Sequence, residues 1–233
     1  EELRRSNSEL EQFASIASHD LQEPLRSIGN FAGLLKARYG DQLNEEAADW
    51  LTRIVNAAQR MSNLVRDLLA FSRVQSRTEA FQLVDCSQLV DEVIRELHVA
   101  ISDAQAEVTR DELPRVMADR SQLGQLFQNL IANGIKFCGE QSPQVHVGVE
   151  KRADAWRFSV RDNGIGIAPQ YRDKIFEVFR RLHRGEDYPG TGVGLAICRR
   201  VVHRHGGEIS LESTVGQGST WYFTIPCAEH ENG

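Results

Sequence analysis

Apolar residues in the first third of the chain recur at alternating intervals of four and three positions. One set runs from Leu10 to Leu35, and a second set runs from Ala47 to Leu68. This heptad spacing is typical of helices that pack along a seam. The segment "YGDQLN" between the two sets holds a glycine and several turn formers. The pattern therefore predicts an antiparallel helical hairpin.

Both apolar stripes are wider than a single seam. Further apolar residues flank the two sets, among them Leu25, Leu34, Trp50 and Leu64. A two-helix contact does not cover stripes of this width, whereas the pairing of two hairpins into a four-helix bundle does. We therefore predict that residues 1–76 form the dimerisation domain of a homodimer.

From about residue 80 the period changes to the alternation of β-strands. The segments "QVHVGVEKR" and "AWRFSVRDN" are separated by Ala153 and Asp154, and "GEISLESTVGQGSTWYFTIP" turns at Gly216 and Gly218. Each of these stretches is predicted as a β-hairpin. Helical patterns lie between them in "RSQLGQLFQNLIANGIKF" and "GVGLAICRRVVHRHG".

These elements predict an α+β protein with two domains. The helical hairpin comes first, and "FQLVDCSQLV" begins the second domain with a short strand and a helix. We place the second domain at residues 80–228, as an α/β sandwich with helices on one face of a mixed sheet. The polar segment "SRVQSRTEA" is predicted as the linker.

Charge and composition exclude several classes of protein. A net charge of −6 argues against a general nucleic-acid binder, and no apolar run approaches the ~20 residues of a membrane helix. The four cysteines are far apart without paired metal-ligand spacing, which favours free thiols in a reducing cytoplasm. The chain opens with a charged segment and no initiator methionine, so we expect a cytoplasmic fragment of a longer protein.

Three glycine clusters stand out in the second half. "DNGIGI" follows a predicted strand, "GTGVGL" opens a predicted helix, and "GQGST" lies at a hairpin turn. A helix start favours phosphate through its free N–H groups and its positive dipole end. "GTGVGL" lacks the Gly-Lys-Ser/Thr of a P-loop and does not follow a strand as a dinucleotide fingerprint does. It predicts a phosphate site of another kind.

Polar residues on one predicted helix complement these glycines. Asn129 and Asn133 are four positions apart on one face of an otherwise apolar helix, and Lys136 is one turn beyond Asn133. Amide oxygens beside a phosphate chain suit Mg²⁺, a hard cation that prefers oxygen ligands. Asp162 ends a strand before two glycines, where its carboxylate can accept from an exocyclic amine such as that of adenine.

In this order, "NLIAN", "DNGIG", "FEVF", "GTGVG" and "GQGS" resemble the asparagine, glycine and phenylalanine boxes of histidine protein kinases. The hairpin with "SHDLQEPL" resembles the dimerisation and phosphoacceptor domain of that family. The resemblance covers nearly the whole chain, and its wording is most similar to phytochromes and related sensor-linked bacterial kinases. It implies an ATP-binding domain of the histidine kinase and Hsp90-like ATPase type.

The resemblance also implies roles for individual residues. Asn133 would ligate Mg²⁺ with help from Asn129, Lys136 would contact phosphates, and Asp162 would bind the adenine amine. Glycines would close the backbone around the base and form the hinge of a mobile lid; these are Gly164 and Gly166 at the base, and Gly190, Gly192 and Gly194 at the lid. Two phenylalanines, Phe176 and Phe179, would anchor the other end of the lid or pack in the core.

A histidine on the first helix is the candidate nucleophile. His19 falls on the outermost face of the predicted heptad, where a histidine is usually only solvated. The neighbouring Asp20, the helix-interior Pro24 and the nucleotide-binding resemblance favour a catalytic role instead. His19 is then phosphorylated by ATP, with Asp20 orienting the ring and accepting its Nδ1 proton. The family implies an aspartate of a response regulator as the next acceptor, and an upstream sensor domain.

Three positions raise further expectations. The family's usual alanine after the second asparagine is Gly134, which lowers helix stability by roughly 1 kcal/mol and should be tolerated. Pro24 removes a helical hydrogen bond one turn after His19, which predicts a hinge. Many relatives carry Thr or Asn four positions after the histidine and use it for phosphatase action; Glu23 stands there, which predicts weak phosphatase activity.

Two other functions stay open from the sequence. One is a chaperone- or gyrase-type ATPase, although such enzymes hydrolyse ATP with a glutamate where Asn129 lies. The other is a dimeric scaffold that binds nucleotide or partners without kinase activity, which the intact glycine boxes disfavour.

Overall fold

A computed structural model describes the backbone of residues 2–76, 80–180 and 190–227, with side chains from residue 21 onward apart from residues 70 and 72–79. The chain divides into two compact units, residues 1–77 and 78–233. Each unit is described by itself below. No helix among the described residues is long and apolar enough to cross a membrane.

The first unit is the predicted helical hairpin. Helix α1 spans Glu2–Tyr39, a single 3₁₀ turn follows at Gly40–Gln42, and α2 spans Glu45–Ser76. The side chain of Asn44 caps α2, because its Oδ1 accepts from Ala47 N at 2.8 Å. Helix α2 continues to Ser76, into the segment predicted as linker, because polar residues extend a helix without an apolar period. The rest of that linker up to residue 79 lies outside the described residues.

The hairpin buries only one side of its apolar stripes. Among the described side chains of the hairpin, the buried ones are Leu25 and Ala32 on α1, and Ala58 and Val65 on α2. Many residues of the two predicted sets and their flanks stay about half exposed or more, namely Leu21, Ile28, Phe31, Leu34, Leu35, Trp50, Ile54 and Met61. A single hairpin therefore leaves a long apolar face exposed to solvent. Helix α1 is continuous through Pro24.

The second unit is an α/β sandwich with two sheets. A small antiparallel sheet pairs β1 (Gln82–Asp85) with β3 (Arg115–Ala118). The main sheet has the order β2-β4-β5-β7-β6, with β2 at Glu107–Arg110, β4 at Gln144–Lys151, β5 at Ala155–Asp162, β6 at Ile209–Thr214 and β7 at Gly218–Pro226. Only β2 and β4 are parallel among these neighbours, so the sheet is mixed as predicted. The helices are α3 (Cys86–Glu96), α4 (His98–Asp103), α5 (Arg120–Lys136) and α6 (Gly194–Arg204).

Aromatic side chains form the centre of this core. The fully buried Phe127 of α5 packs edge-on against Phe158 of β5 and Phe223 of β7, with ring centroids 5.8 and 5.5 Å apart. Phe158 and Phe223 stack on each other at 5.1 Å. Each such ring removes a large apolar surface from water, so α5 is held firmly on the sheet.

Both predicted β-hairpins are present. The first turns at residues 152–154, where Arg152 N donates to Ala155 O at 2.8 Å, and the second is β6–β7. The four-residue strands β2 and β3 and the short helix α4 were not predicted. They are too short to show a period, and they depend on pairing with distant segments.

A buried histidine joins the start of α5 to the end of α6. His205 Nδ1 lies 2.8 Å from Val201 O, so this nitrogen carries the proton and donates, and Nε2 accepts from Asp119 N at 3.0 Å. Asp119 caps α5 by accepting from Gln122 N at 3.1 Å, and its other oxygen accepts from Arg204 at 2.8 Å. Burial lowers the pKa of His205; the hydrogen bond to Val201 O opposes this, and the charges of Arg204 and Asp119 make smaller contributions in opposite directions.

This arrangement makes the second unit less stable in mild acid. The folded state holds His205 neutral, whereas the unfolded chain binds a proton near the ordinary pKa of 6.5. The unfolded state therefore binds more protons below that pH, and the unfolding free energy falls as the pH drops from about 6.5 toward the folded pKa. Urea unfolding at several pH values should show this loss in the wild type and in His203→Gln, an exposed neighbour. A His205→Gln variant that keeps the full loss would contradict the assignment.

Candidate nucleotide site

The polar residues of α5 meet the start of α6. Asn129 is half-buried, and its Nδ2 donates to Gly194 O at 3.4 Å. Asn133 is one helical turn further and also half-buried. Lys136 closes the helix with its ammonium 4.5 Å from the centre of the Phe137 ring. The same ammonium lies 2.8 Å from the position that a Cβ on Gly190 would take. The Asn129 amide and the Lys136 ammonium are therefore brought to the segment 190–194.

Asp162 is the last residue of β5 and is held at its carboxylate. Its Oδ1 accepts from Gly164 N at 2.9 Å and from Ser219 N at 3.1 Å. Burial raises the pKa of Asp162, and these two backbone hydrogen bonds act in the opposite direction by favouring the ionised form. Both described bonds use Oδ1, so they fix the orientation of the carboxylate and do not occupy Oδ2.

The loop after Asp162 approaches the backbone on two sides. A Cβ on Gly164 would overlap Phe137 O, which accepts from Ile165 N at 2.9 Å. Gly166 has φ +69°, and a Cβ there would overlap Thr214 O. These glycines are needed because the loop passes between the end of α5 and the β6–β7 hairpin.

The segment from 190 onward meets the residues that follow Phe176. Gly192 has φ +76°, and a Cβ on it would lie 2.7 Å from Arg180 O. Phe179 has φ +64° and is half exposed, whereas the Phe176 ring packs edge-on against Trp221 at 6.1 Å. Core packing thus holds for Phe176. The contact of Phe179 with Gly192 is through its backbone.

Residues 181–189, which the sequence places in a lid between these two ends, lie outside the described residues.

The two catalytic candidates lie in the first unit. His19 and Asp20 belong to α1, whose backbone is continuous there. Their side chains lie outside the described residues, so their prediction rests on the sequence.

Several residues that support the site were not predicted. Ser213 Oγ accepts from Ile167 N at 2.8 Å and lies 2.9 Å from Ser219 Oγ. Arg172 donates to Ser213 O at 2.6 Å. These contacts bind the loop after Asp162 to the β6–β7 hairpin. In the sequence, only Ser219 could have indicated this support, because it belongs to the motif "GQGST". Ser213 and Arg172 belong to no motif and look like ordinary polar residues.

Gly134 has a packing role beside the site. A Cβ on this buried helical residue would lie 2.8 Å from Val145 Cγ2 and 3.2 Å from Asp162 Cβ. The helix propensity of alanine is worth about 1 kcal/mol here, but the β-branched Val145 is stiff and cannot easily move away. Gly134→Ala should therefore lower the stability of the second unit despite the gain in propensity.

A double-mutant cycle checks this expectation. Val145→Ala alone creates a cavity, and the added methyl of Gly134→Ala partly fills it. The two changes in unfolding free energy should then be less than additive by about 1 kcal/mol. Additive effects, or a Gly134→Ala variant more stable than the wild type, would contradict the proposed contact.

Two family models match the chain. Residues 9–77 match the His Kinase A (phospho-acceptor) domain, and residues 118–229 match the histidine kinase-, DNA gyrase B- and HSP90-like ATPase. Cyanobacterial phytochrome A of Nostoc sp. is 50% identical over 230 residues, which are 99% of this chain and 30% of that protein. Phytochrome-like protein Cph1 of Synechocystis sp. is 46% identical over 96% of this chain and 30% of that protein. The chain thus spans about a third of the length of these relatives.

Solved structures give the same family. Full-length ShkA in complex with AMPPNP matches with a TM-score of 0.71 and 28% identity, over 92% of this chain and 45% of that one. The catalytic domain of histidine kinase ThkA matches with a TM-score of 0.56 and 30% identity, over 64% of this chain and 96% of that one. ThkA in complex with the response regulator protein TrrA matches with a TM-score of 0.66 and 25% identity, over 98% of this chain and 65% of that one.

A helical hairpin followed by an Hsp90-like sandwich is the domain order of a histidine kinase core. The chain belongs to the histidine kinase family, as its motifs predicted, and similar proteins include the cyanobacterial phytochromes.

Proposed function

We propose that this chain is the catalytic core of a sensor kinase, which phosphorylates its own His19 with ATP and passes the phosphoryl group to an aspartate of a response regulator. The observation that carries the proposal is the convergence of Asn129, Lys136 and Asp162 with three glycine loops in one unit. The two family matches in one chain support it, since one is an ATPase and the other a phospho-acceptor domain. In this proposal residues 80–228 bind ATP and residues 1–76 carry the acceptor.

Asp162 recognises the adenine in this proposal. Its Oδ1 is already used by Gly164 N and Ser219 N, which leaves Oδ2 to accept from the exocyclic amine. The tight approach of Gly164 to Phe137 O and of Gly166 to Thr214 O forms a narrow wall that a flat base can contact. The relative ShkA was solved with AMPPNP, which supports an adenine nucleotide as the ligand.

Phosphate binding is assigned to α5 and the start of α6. Lys136 lies beside Gly190, and the N-terminal end of α6, which begins at Gly194, favours negative charge. The amide oxygens of Asn133 and Asn129 fit Mg²⁺, because this cation takes oxygen ligands and shares them with phosphates and water. When bound, Mg²⁺ supplies positive charge that stabilises the phosphates during transfer. Among the residues whose positions are described, no cluster of His, Cys, Asp or Glu offers an alternative metal site.

The transfer itself needs a nucleophile and a proton acceptor. His19 attacks the γ-phosphorus through Nε2, the bond from the phosphorus to the bridging oxygen of ADP breaks, and a phosphorus–nitrogen bond forms. Asp20 accepts the Nδ1 proton and keeps the ring oriented. The phosphoramidate is then available to the receiver aspartate of the response regulator. ThkA was solved in complex with such a regulator, which supports this partner.

The assembly is proposed to be a homodimer in the cytoplasm. The apolar face left by Ile28, Phe31, Trp50 and Ile54 suits a second hairpin, which would complete a four-helix bundle. The cytoplasm supplies ATP and the response regulator. A sensor domain upstream is part of the proposal, because the phytochrome relatives are much longer than this chain.

Incubation with γ-labelled ATP and Mg²⁺ separates this proposal from its alternatives. A kinase incorporates label that is lost in acid and stable in base, and loses it in Asn133→Ala. Steady phosphate release without label indicates an ATPase, and neither signal indicates a scaffold. Either of the last two results would refute the proposed function.

Because Glu23 lies four positions after His19, we expect this chain to dephosphorylate the response regulator slowly. The Glu23 carboxylate would repel the phosphoaspartate and cannot readily position an attacking water there. Adding the unlabelled chain with ADP to a phosphorylated regulator should raise the dephosphorylation rate by less than about twofold, and Glu23→Ala should leave that rate unchanged. Glu23→Thr is the matched gain-of-function variant. Rapid dephosphorylation by the wild type that Glu23→Ala abolishes would contradict this prediction.

A further inference from the structure

An aromatic side chain is docked where the chain enters the second unit. Phe81 directly precedes β1, and its ring stacks on the His205 ring with centroids 4.7 Å apart and 6° between the planes. The Arg204 guanidinium lies 5.6 Å from the centre of the same ring. Phe81 is nevertheless 40% exposed, so it rests on the surface of the unit without entering its core.

The surface under Phe81 is rigid. His205 is only 5% exposed, and both of its ring nitrogens are hydrogen-bonded, to Val201 O and to Asp119 N. Arg204 is fixed in turn by Asp119, whose side chain is 2% exposed. A ring held at both nitrogens cannot rotate without losing buried hydrogen bonds. His205 therefore offers a flat platform of defined orientation.

The platform belongs to the two helices that carry the nucleotide residues. Asp119 is the cap of α5 and His205 follows the end of α6, whereas Asn129 further along α5 meets Gly194 at the start of α6. The two helices are therefore antiparallel neighbours, with the two ends of α6 joined to the start and the middle of α5. The His205 end lies about 15 Å from the Asn129 end, since an α-helix rises 1.5 Å per residue. Phe81 is thus tied to the same rigid pair as the nucleotide site without touching that site.

We propose that Phe81 is a positioning residue, which docks the incoming chain on the His205 platform and thereby fixes the direction in which the chain joins the ATP-binding unit. This inference rests on the proposed function, in which that unit must deliver the γ-phosphate to His19 on the preceding hairpin. Only four residues, 77–80, lie between the end of α2 and Phe81. With so short a connection, a fixed direction at its end restricts the orientations that the ATP-binding unit samples, and productive orientation contributes strongly to rate.

The test uses the full chain with three substitutions. In Phe81→Ala, the rate of His19 labelling at saturating ATP should fall about tenfold, because orientation and not nucleotide binding is impaired. The affinity for a fluorescent ATP analogue should stay within about twofold of the wild type, since Phe81 does not reach the nucleotide residues. Phe81→Trp keeps a flat ring and should restore most of the rate. Leu83→Ala, a more exposed apolar residue on the adjacent strand, is the matched control and should behave as the wild type.

Amide hydrogen exchange of residues 80–85 measures docking without kinase activity. Exchange in this segment should be faster in Phe81→Ala than in the wild type, and unchanged in Leu83→Ala. Unchanged exchange in Phe81→Ala would overturn the docking. A wild-type labelling rate in Phe81→Ala, a loss of nucleotide affinity that matches the loss of rate, or a slow Phe81→Trp would overturn the positioning role. A wild type that takes up no label at all would refute the proposed function, and the positioning role with it, while the exchange result still decides the docking.

Discussion

An Asp162→Asn variant is expected to bind ATP roughly 10- to 100-fold more weakly while remaining folded. The asparagine carbonyl can still accept from Gly164 N and Ser219 N, as Asp162 Oδ1 does. The amide nitrogen then takes the place of Oδ2 and points a donor at the donor group of adenine. Calorimetric titration with a non-hydrolysable ATP analogue measures the loss.

The same variant should change the preference among purines. A guanine base carries an oxygen acceptor where adenine carries the amine, so the new donor favours GTP over ATP relative to the wild type. Asp162→Ala serves as the control, because it removes both the recognition group and the acceptor for two backbone N–H groups. It should weaken binding of both nucleotides and also lower stability. Unchanged ATP affinity in Asp162→Asn would show that this carboxylate does not recognise the base.

Gly166→Ala is expected to destabilise the second unit by about 3 kcal/mol or more and to abolish nucleotide binding. Gly166 has φ +69°, and the added methyl would overlap Thr214 O in the β6–β7 hairpin. Relief of that overlap requires the loop to leave the hairpin, which breaks the hydrogen bond from Gly216 N to Ile165 O. Urea unfolding followed by the fluorescence of the buried Trp221 measures the change.

Gly216→Ala is the matched control for this substitution. Gly216 also has a positive φ, +78°, but no atom lies within 4 Å of an added Cβ. The unfolding free energy of Gly216→Ala should therefore fall only by the ~1 kcal/mol that alanine costs in the left-handed conformation. The variant should keep its nucleotide affinity. Equal effects of the two substitutions would mean that backbone conformation alone, and not the contact with Thr214, makes Gly166 necessary.

The elements that the sequence predicted are those with a long local period. The heptads around Ile28 and Ala58 and the alternation in β4 and β5 each repeat within one segment, so no distant residue is needed to recognise them. The strands β2 and β3 were not predicted, because four residues show no period. Their pairing with β4 and β1 depends on the fold of distant segments. The resemblance to histidine kinases came from the order of short motifs and is confirmed by the family models.

The contacts that hold the site residues in place were less predictable from the sequence than the motifs themselves. Asp162 and the glycine loops were recognisable in the sequence, whereas the close approach of Gly134 to Val145 joins residues from different elements. His205 and Asp119 are 86 positions apart, and neither differs locally from an ordinary polar residue. Such contacts depend on the packing of α5 and α6 against the sheet, which single-sequence patterns do not specify.

Identification of the phosphorylated residue tests the proposed kinase activity most directly. The wild-type chain, His19→Ala and His19→Gln are incubated with γ-labelled ATP and Mg²⁺, and the labelled peptide is mapped under alkaline conditions that preserve phosphohistidine. We expect acid-labile label on the peptide that contains His19, complete loss of label in both variants, and unchanged binding of an ATP analogue by them. Label that survives in the variants, or that is acid-stable in the wild type, would contradict this expectation.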